Sequence, residues 1–324
     1  MDNQVHSALT ERLDEFETYL RGLPLELGRE PALFPTFRGE FERHLKACEE
    51  VTKGLPRKLD RKAQKHSWAH SGHGVFLEAP VNWRAFHKPR GYAGDGELLD
   101  MFHRADYEGE TAIGRLIHRV SMLQPAAQAV RNRSQLVRQG IERTLFDKGV
   151  HSRILSMGCG TSPELTQLVR DSPHFECPSW SWLGLDIDPE TVNIARRRHV
   201  DPRLSFMEVN ALELAKDPSS WIWGRFDFIY AVGIFDYFPL GIARPLTQVM
   251  FDNLTPGGRL WLGNFHPNNP TRWYMEYIAK WHLIHRTEDE LRAFTEHFPK
   301  DSFTSEIFWE QGRSQIFLDI LKEA

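Results

Sequence analysis

The first part of the chain carries apolar residues at the spacing of amphipathic helices. In residues 5–20, and again in residues 37–48, an apolar side chain recurs every three or four positions, which is the period of a helix with one buried face. A third helix of this kind is predicted at residues 124–146. Residues 53–74 are basic and rich in glycine and histidine, without that period, so we expect a loop there.

From residue 153 the pattern changes to short apolar runs separated by helical stretches. Such runs are typical of strands that a parallel sheet buries on both faces. Five are predicted, at residues 153–157, 182–186, 204–211, 225–233 and 254–264. Two more, at residues 303–309 and 314–321, are separated by only four residues, which allows an antiparallel hairpin but no crossover. We therefore predict an α/β fold whose Rossmann-like, largely parallel sheet ends in an antiparallel hairpin.

These two patterns divide the chain into two predicted domains. Residues 1–120 are expected to form a helical region, and residues 121–324 the α/β domain. We interpret the N-terminal helices as a cap that closes the pocket and selects the substrate; a packing or dimerisation extension is the alternative. The turn at residues 88–95 favours the cap, because dense glycine with charged and aromatic side chains is typical of a turn shaped for a ligand or another backbone.

A glycine turn after the first predicted strand is the strongest chemical signal. Gly158 and Gly160 allow a tight turn, and a helix is predicted to begin beside Pro163. The backbone N–H groups of such a strand–turn–helix unit bind anionic or polar ligands. Asp186 ends the next strand, where an acidic residue can hold the ribose hydroxyls of a nucleoside. Because Pro163 takes the third small position of the dinucleotide fingerprint, we expect a nucleoside cofactor other than NAD.

The glycine turn and the strand end at Asp186 resemble motif I and its successor in class I S-adenosylmethionine methyltransferases. The resemblance implies S-adenosylmethionine as the cofactor and a Rossmann-like class I methyltransferase sheet, with Asn210 facing the adenine amino group. The residues that it places at the cofactor are Ser156, Gly158, Gly160, Asp186, Ile187, Asn210, Ala211 and Val232. The family usually has an acidic residue two places before the first glycine, near the methionine ammonium, where this chain has Ser156.

A narrower resemblance runs from about Lys88 to the C-terminus. The segments that carry it are residues 88–95 (KPRGYAGD), 235–238, 263–265 and 269–276, together with Trp281 and Arg286. They resemble bacterial methyltransferases known as 3-hydroxypalmitic acid methyl ester biosynthesis proteins. Membership would imply an S-adenosylmethionine-binding domain, a helical N-terminal cap and a small acceptor molecule.

Five polar residues are the candidates for catalysis. They are Tyr92, Asp236, Tyr237, Asn264 and His266. Methyl transfer from a sulfonium needs alignment more than covalent catalysis. A carboxylate acceptor is ionised at neutral pH and needs only a cation or hydrogen-bond donors to orient it, whereas a hydroxyl or amine acceptor needs a general base. His266 is the predicted base, and Arg90 or Arg272 the predicted anchor for an anion.

The narrower resemblance implies O-methylation of a small acid or hydroxy acid as the expected activity. The alternative is an enzyme of the same fold that consumes S-adenosylmethionine without transferring its methyl group, as a cyclase or lyase would. Ser156 is the only sequence feature that favours this alternative.

Composition excludes several other classes of protein. The 324 residues carry a net charge of −4, so no basic footprint indicates nucleic acid. Cys48, Cys159 and Cys177 are widely spaced, which gives no metal-ligand pattern and suits a reducing compartment. No apolar run reaches the length of a membrane span, and the N-terminus lacks the apolar core of a signal peptide. We expect a cytoplasmic enzyme with a small-molecule substrate and no metal, for which a homodimer is a candidate assembly.

Overall fold

The computed structural model describes residues 2–24, 31–148, 151–171 and 179–323. The chain forms two compact units, one of residues 1–127 with 270–282 and one of residues 128–269 with 283–324. The predicted boundary at residue 120 lies close to the first crossing between these units. The sequence pattern divided the chain at one position only, and it did not predict that residues 270–282 belong to the first unit.

The first unit is helical in the residues that the structure describes. Its helices are α1 (Asp2–Arg21), α2 (Phe34–Thr52), α3 (Arg57–Ala69), α4 (His73–Leu77), α5 (Pro80–His87), α6 (Gly96–Arg104) and α7 (Ala112–Met122). The predicted amphipathic helices correspond to α1 and α2. Their apolar faces meet, since the rings of Phe16 and Phe41 lie edge to face with centroids 4.9 Å apart.

The prediction of a loop at residues 53–74 is wrong, because α3 and the start of α4 lie there. The buried face of α3 is small or polar rather than apolar, which hid the helical period. Two polar side chains of this face form hydrogen bonds with residues far away in the sequence. Gln64 donates to the Glu276 carboxylate at 3.1 Å, and Ser67 donates to the carbonyl of Tyr277 at 3.1 Å.

Residues 270–282 complete the core of the first unit. They include the π-helical turn Tyr274–Ile278. The Trp273 indole N–H donates to Thr52 Oγ1 at 2.9 Å, and Asn82 donates to the Tyr274 hydroxyl at 2.6 Å. Helices far apart in sequence therefore depend on this segment for their buried polar contacts.

The second unit is built on seven strands. The helix α8 (Pro125–Lys148) leads into β1 (Arg153–Met157), α9 (Pro163–Asp171), β2 (Ser181–Asp186), α10 (Pro189–Arg198), β3 (Leu204–Glu208), α11 (Ala211–Lys216), β4 (Phe226–Ala231), α12 (Leu240–Asp252), β5 (Leu254–Phe265), α13 (Glu288–Arg292), β6 (Phe303–Trp309) and β7 (Gln315–Lys322).

The sheet has the order β3-β2-β1-β4-β5-β7-β6. Strands β1 to β5 pair in parallel, and β7 runs antiparallel to both β5 and β6. The predicted α/β class, the parallel sheet and the terminal hairpin are all confirmed. Alternation along the strands builds a core on each face, with Ile154 and Tyr230 toward α8, α9 and α10, and Leu155 and Ile229 toward α12.

Two further sequence-based expectations concern membrane-spanning segments and the cysteines. No helix in the described part of the chain is both long and apolar enough to cross a membrane. Cys48 and Cys159 are buried free thiols, whereas Cys177 lies outside the described residues.

Candidate functional site

The glycine turn lies between the ends of β1 and β2. Both Gly158 and Gly160 have positive φ, at 70° and 54°, which favours glycine at each position. The N–H groups of Gly158 and Cys159 donate to the carbonyl of Leu185 at 2.7 and 3.0 Å. A Cβ at Gly158 would lie 2.2 Å from the Ile234 side chain, whereas a Cβ at Gly160 would meet nothing within 4 Å. The first glycine is therefore required by packing, and the second leaves an open backbone surface that a ligand can approach.

Asp186 is tied directly to this turn. Its Oδ2 accepts the N–H of Gly160 at 2.8 Å, and its Oδ1 accepts the N–H of Asp188 at 3.0 Å. Burial raises the pKa of Asp186, and the two backbone hydrogen bonds oppose that rise. Each carboxylate oxygen can accept a second hydrogen bond, so the group retains the capacity to bind the hydroxyls of a ribose. The neighbouring Ile187 side chain is 51 % exposed and presents an apolar surface beside it.

The third and fourth strands end at the same edge of the sheet. The N–H of Val209 donates to the carbonyl of Asp186 at 2.8 Å. Asn210 caps α11, because its side-chain oxygen accepts the N–H of Leu212 at 3.0 Å. Val232 follows β4, and its carbonyl accepts from Gln315 at 3.0 Å. All eight predicted cofactor residues thus lie in or beside the carboxyl ends of β1 to β4, where open parallel sheets bind ligands.

A buried polar network lies behind the glycine turn, and it was missed in the sequence. The Tyr230 hydroxyl donates to Glu164 Oε1 at 2.7 Å and accepts the Trp182 indole N–H at 2.9 Å. Ser156 is the strand partner of Tyr230 in the parallel pairing of β1 with β4. Burial raises the pKa of Glu164, against the hydrogen bond from Tyr230 and the charge of Arg133. The sequence signal that could have led to Glu164 was the missing acid at Ser156, which calls for a substitute nearby.

Asp236 lies in a short 3-10 turn after β4 and is 2 % exposed. Its Oδ1 accepts the N–H of Phe265 at 2.7 Å. Burial raises the pKa of Asp236 to about 6, against this hydrogen bond and the charges of Arg133 and Arg286. Tyr237, the next residue, is half-buried. A carboxyl group with this pKa can take up a proton near neutral pH.

Asn264 is fully buried, and both ends of its side-chain amide are hydrogen-bonded within the protein. Its amide N–H groups donate to the carbonyls of Phe265 and Ile284 at 2.9 and 2.8 Å, and its oxygen accepts from Arg286 at 2.6 Å. The same guanidinium donates to the carbonyl of Phe235 at 2.7 Å. In this arrangement Asn264 and Arg286 fasten the turn around Asp236, so the geometry gives Asn264 a positioning role rather than a direct one.

His266 is not arranged as a base. Its Nδ1 accepts the N–H of Asn268 at 3.1 Å, so in the neutral ring the proton is on Nε2. That nitrogen lies 3.4 Å from the Glu288 carboxylate. Because one ring nitrogen accepts a bond and the other carries the proton, neither is available to take a proton from a substrate.

Tyr92 and the turn at residues 88–95 lie in the first unit, and Tyr92 is half-buried. Asp95 ends the turn and caps α6, since its Oδ1 accepts the N–H of Leu98 at 2.9 Å. Arg84 Nε lies 2.7 and 3.0 Å from the two Asp95 oxygens. These bonds give the turn a structural brace, and the catalytic role of Tyr92 stays a prediction.

The two arginines predicted to anchor an anion are both paired with carboxylates. Arg90 donates to Glu97 at 2.8 Å, and Arg272 donates to Glu276 at 2.8 Å. The structure therefore does not support either as the predicted anchor.

One group in the described residues has the composition of a metal site, namely Asp14, Glu17 and His70. His70 Nδ1 accepts the N–H of Gly72 at 3.1 Å, so its Nε2 carries the proton and faces Asp14 at 3.1 Å. An ordinary hydrogen bond to Asp14 accounts for this arrangement without a metal.

Comparison with known proteins identifies the chemistry of the second unit. Residues 154–258 match a family model described as a methyltransferase domain. This range covers the glycine turn, Asp186, Asn210 and Asp236. The chain therefore contains a methyltransferase domain and is an enzyme whose cofactor is S-adenosylmethionine. The open backbone at Gly160 and the spare acceptor capacity of Asp186 fit that cofactor.

Solved structures provide comparisons of fold. A protein of Bordetella parapertussis, described as a possible exported protein, is 18% identical, and the match covers 91% of this chain and 99% of that chain with a TM-score of 0.57. It shares the fold. Magnesium protoporphyrin IX methyltransferase of Synechocystis, with S-adenosylhomocysteine, is 13% identical over 74% of this chain and 98% of its own, with a TM-score of 0.48. The N-methyltransferase NodS of Bradyrhizobium japonicum, also with S-adenosylhomocysteine, is 18% identical over 59% and 87%, with a TM-score of 0.43. A search of curated protein sequences gives no match.

Proposed function

We propose that this chain transfers a methyl group from S-adenosylmethionine to an oxygen of a small acid or hydroxy acid. The observation that supports a hydroxyl acceptor is the buried carboxyl group of Asp236, which with its pKa near 6 can take up the hydroxyl proton. A base is most effective when its pKa lies close to the operating pH. Asp236 also follows β4, at the edge of the sheet where the predicted cofactor residues lie.

The cofactor supplies an electrophilic methyl group on its sulfonium. The side chains have to align the acceptor oxygen and remove its proton if it is a hydroxyl. Asp236 is suited to that task, because the bond from Phe265 N–H to Oδ1 fixes the carboxylate and leaves Oδ2 for the substrate proton. Asp236 thus replaces His266 as the proposed base.

Product analysis tests the proposal directly. The protein is incubated with S-adenosylmethionine and a panel of aliphatic acids and hydroxy acids, and the products are identified by mass spectrometry. For a hydroxyl acceptor, turnover should rise with pH through an apparent pKa near 6. Asp236→Asn should lower turnover by about 10²-fold or more, whereas the control His266→Gln should keep the pH profile of the wild type.

Two other outcomes contradict parts of the proposal. A pH-independent rate that Asp236→Asn leaves unchanged would remove the base and indicate a carboxylate acceptor. Consumption of S-adenosylmethionine without any methylated product would contradict methyl transfer and support the cyclase-like or lyase-like alternative.

A further inference from the structure

Arg133 is a buried cation with no direct partner among the residues that the structure describes. Its side chain lies on α8 and is 8 % exposed. Among the described residues it makes no hydrogen bond or ion pair, whereas Arg138 on the same helix pairs with Glu142 at 2.9 Å. Taking a charged group out of water is costly unless an opposite charge compensates it. Burial lowers the pKa of Arg133, and the charges of Asp236 and Glu164 partly offset that lowering. Neither carboxylate bonds directly to the guanidinium, so its N–H groups can take a further anion.

The guanidinium of Arg133 lies at the glycine turn. Helix α8 runs into β1, so its earlier residues lie toward the carboxyl edge of the sheet. A Cβ at Gly233 would be 3.1 Å from Arg133 Nη2, and the next residue, Ile234, is the one that occupies the space beside Gly158. Arg133 thus lies close to the turn after β4, which in turn contacts the glycine turn at the carboxyl edge of the sheet.

Glu164 provides a buried charge of opposite sign at the same place. It is 6 % exposed, and its Oε1 accepts from Tyr230, the strand partner of Ser156. The charge of Arg133 favours the ionised form of Glu164, yet the two form no ion pair. One cation and one anion therefore flank the glycine turn without neutralising each other by direct contact.

We propose that Arg133 and Glu164 bind the amino-acid head of S-adenosylmethionine, with Arg133 at its carboxylate and Glu164 at its ammonium. The head group carries one charge of each sign, which matches the two side chains. A guanidinium binds a carboxylate through two parallel hydrogen bonds, and a carboxylate accepts charge-assisted bonds from an ammonium. In this chain the acid near the ammonium comes from the start of α9 rather than from the strand position of Ser156. The inference rests on the cofactor of the proposed function and not on its acceptor.

Calorimetric titration with three ligands isolates the head group. S-Adenosylhomocysteine carries both the carboxylate and the ammonium, decarboxylated S-adenosylmethionine lacks the carboxylate, and 5′-methylthioadenosine lacks both. Arg133→Met should weaken S-adenosylhomocysteine about 10- to 100-fold, the range expected for lost charge-assisted hydrogen bonds, and should leave the other two ligands within about twofold. Glu164→Gln, which keeps an acceptor for Tyr230, should weaken the two ligands that carry an ammonium and spare 5′-methylthioadenosine.

Two further variants provide controls. Arg138→Met removes an arginine from the same helix and should change no affinity. Arg133→Lys keeps the positive charge but lacks the planar guanidinium. Its loss of affinity for S-adenosylhomocysteine should therefore be smaller than that of Arg133→Met. Unchanged binding of 5′-methylthioadenosine reports in each case that the adenosine part of the site is folded.

Three outcomes would overturn the assignment. Equal weakening of all three ligands would mean that the variants damage the fold of the site. If Arg133→Met binds S-adenosylhomocysteine as tightly as the wild type but has a raised KM for an acidic acceptor, Arg133 lies at the acceptor instead. Failure of the wild type to bind either S-adenosylhomocysteine or 5′-methylthioadenosine would overturn the cofactor and this assignment together.

Discussion

The side chain of Ile234 occupies the space that a side chain at Gly158 would need. The Ile234 Cγ2 atom lies 2.2 Å from the position of a Cβ at Gly158, and the Gly158 backbone has φ of 70°. The turn after β1 and the turn after β4 are therefore in contact at the cofactor edge, with no room for one additional carbon atom.

Gly158→Ala should for this reason be far more damaging than Gly160→Ala. Gly160 also has positive φ but meets nothing within 4 Å, so its alanine variant should cost only about 1–2 kcal/mol from the backbone conformation. Gly158→Ala adds a steric clash, and we expect a loss of about 3 kcal/mol or more. Urea unfolding of both variants measures the difference, and adding Ile234→Ala to Gly158→Ala should restore part of the stability. Equal losses for the two glycines would contradict the clash.

Asp236 should make stability fall as pH rises from about 4 to about 6. Its folded-state pKa is about 6 against an ordinary value of 3.8, so the folded state holds the proton more tightly. Stability from this group is complete below the unfolded pKa, decreases between the two pKa values and is constant above the folded one. The expected change is about 3 kcal/mol.

Urea unfolding of Asp236→Asn and wild type between pH 4.5 and pH 7 measures this contribution. The variant should gain stability relative to wild type as pH rises to about 6, since the amide has no proton to lose. Asp289→Asn, which replaces an exposed carboxylate on α13, is the control. Parallel curves for Asp236→Asn and wild type would mean that the Asp236 carboxyl is ionised throughout this range.

Asp186→Asn should weaken S-adenosylhomocysteine by about 1–3 kcal/mol, because one oxygen that accepts charge-assisted hydrogen bonds is lost. The bond between Asp186 and Gly160 N–H also weakens, which loosens the glycine turn. Asp188→Asn is the matched control, since Asn can still cap α10. Isothermal titration calorimetry gives the affinities, and equal values for wild type and Asp186→Asn would contradict the assignment of Asp186 to the ribose.

Asp95→Ala should destabilise the first unit by about 3 kcal/mol. The substitution leaves the half-buried Arg84 guanidinium with Glu97 alone, and removal of the buried partner of a largely desolvated pair is strongly destabilising. Asp95→Asn should lose less, because the amide oxygen can still cap α6. Asp106→Ala, which breaks an exposed pair with Arg104, should cost less than about 1 kcal/mol. Thermal unfolding compares the stabilities of the three variants. A similar small loss of stability in all of them would contradict the role of the Arg84–Asp95 pair in bracing the turn.

The sheet could be predicted from the sequence because burial on both faces leaves a direct mark. Strands such as β4 are almost continuously apolar, and the predicted four-residue break between the last two strands permits only a hairpin. The glycine turn and Asp186 could be placed for a similar reason, since local spacing decides their geometry. These features depend on residues that are close together in the chain.

The features that could not be predicted depend on partners far apart in the chain. Helix α3 buries Gln64 and Ser67 against residues of the π-helical turn, so its inner face has no apolar period. His266 and Asn264 have the side chains of catalytic residues, but backbone groups and Arg286 use their hydrogen-bonding capacity. Arg133 lies in a helix whose sequence gives no indication that its guanidinium is buried beside the glycine turn.

The return of residues 270–282 to the first unit has a consequence for biosynthesis. Three hydrogen-bonded pairs join this segment to the helices of the first unit across about 200 positions of the chain. They are Gln64 with Glu276, 212 positions apart, Asn82 with Tyr274, 192 apart, and Thr52 with Trp273, 221 apart. During synthesis from the N-terminus, the helices of the first unit leave the ribosome long before these partners exist. The polar groups on their inner faces have no partners until most of the second unit has been translated. The first unit can therefore reach its final packing only late in the synthesis of the chain.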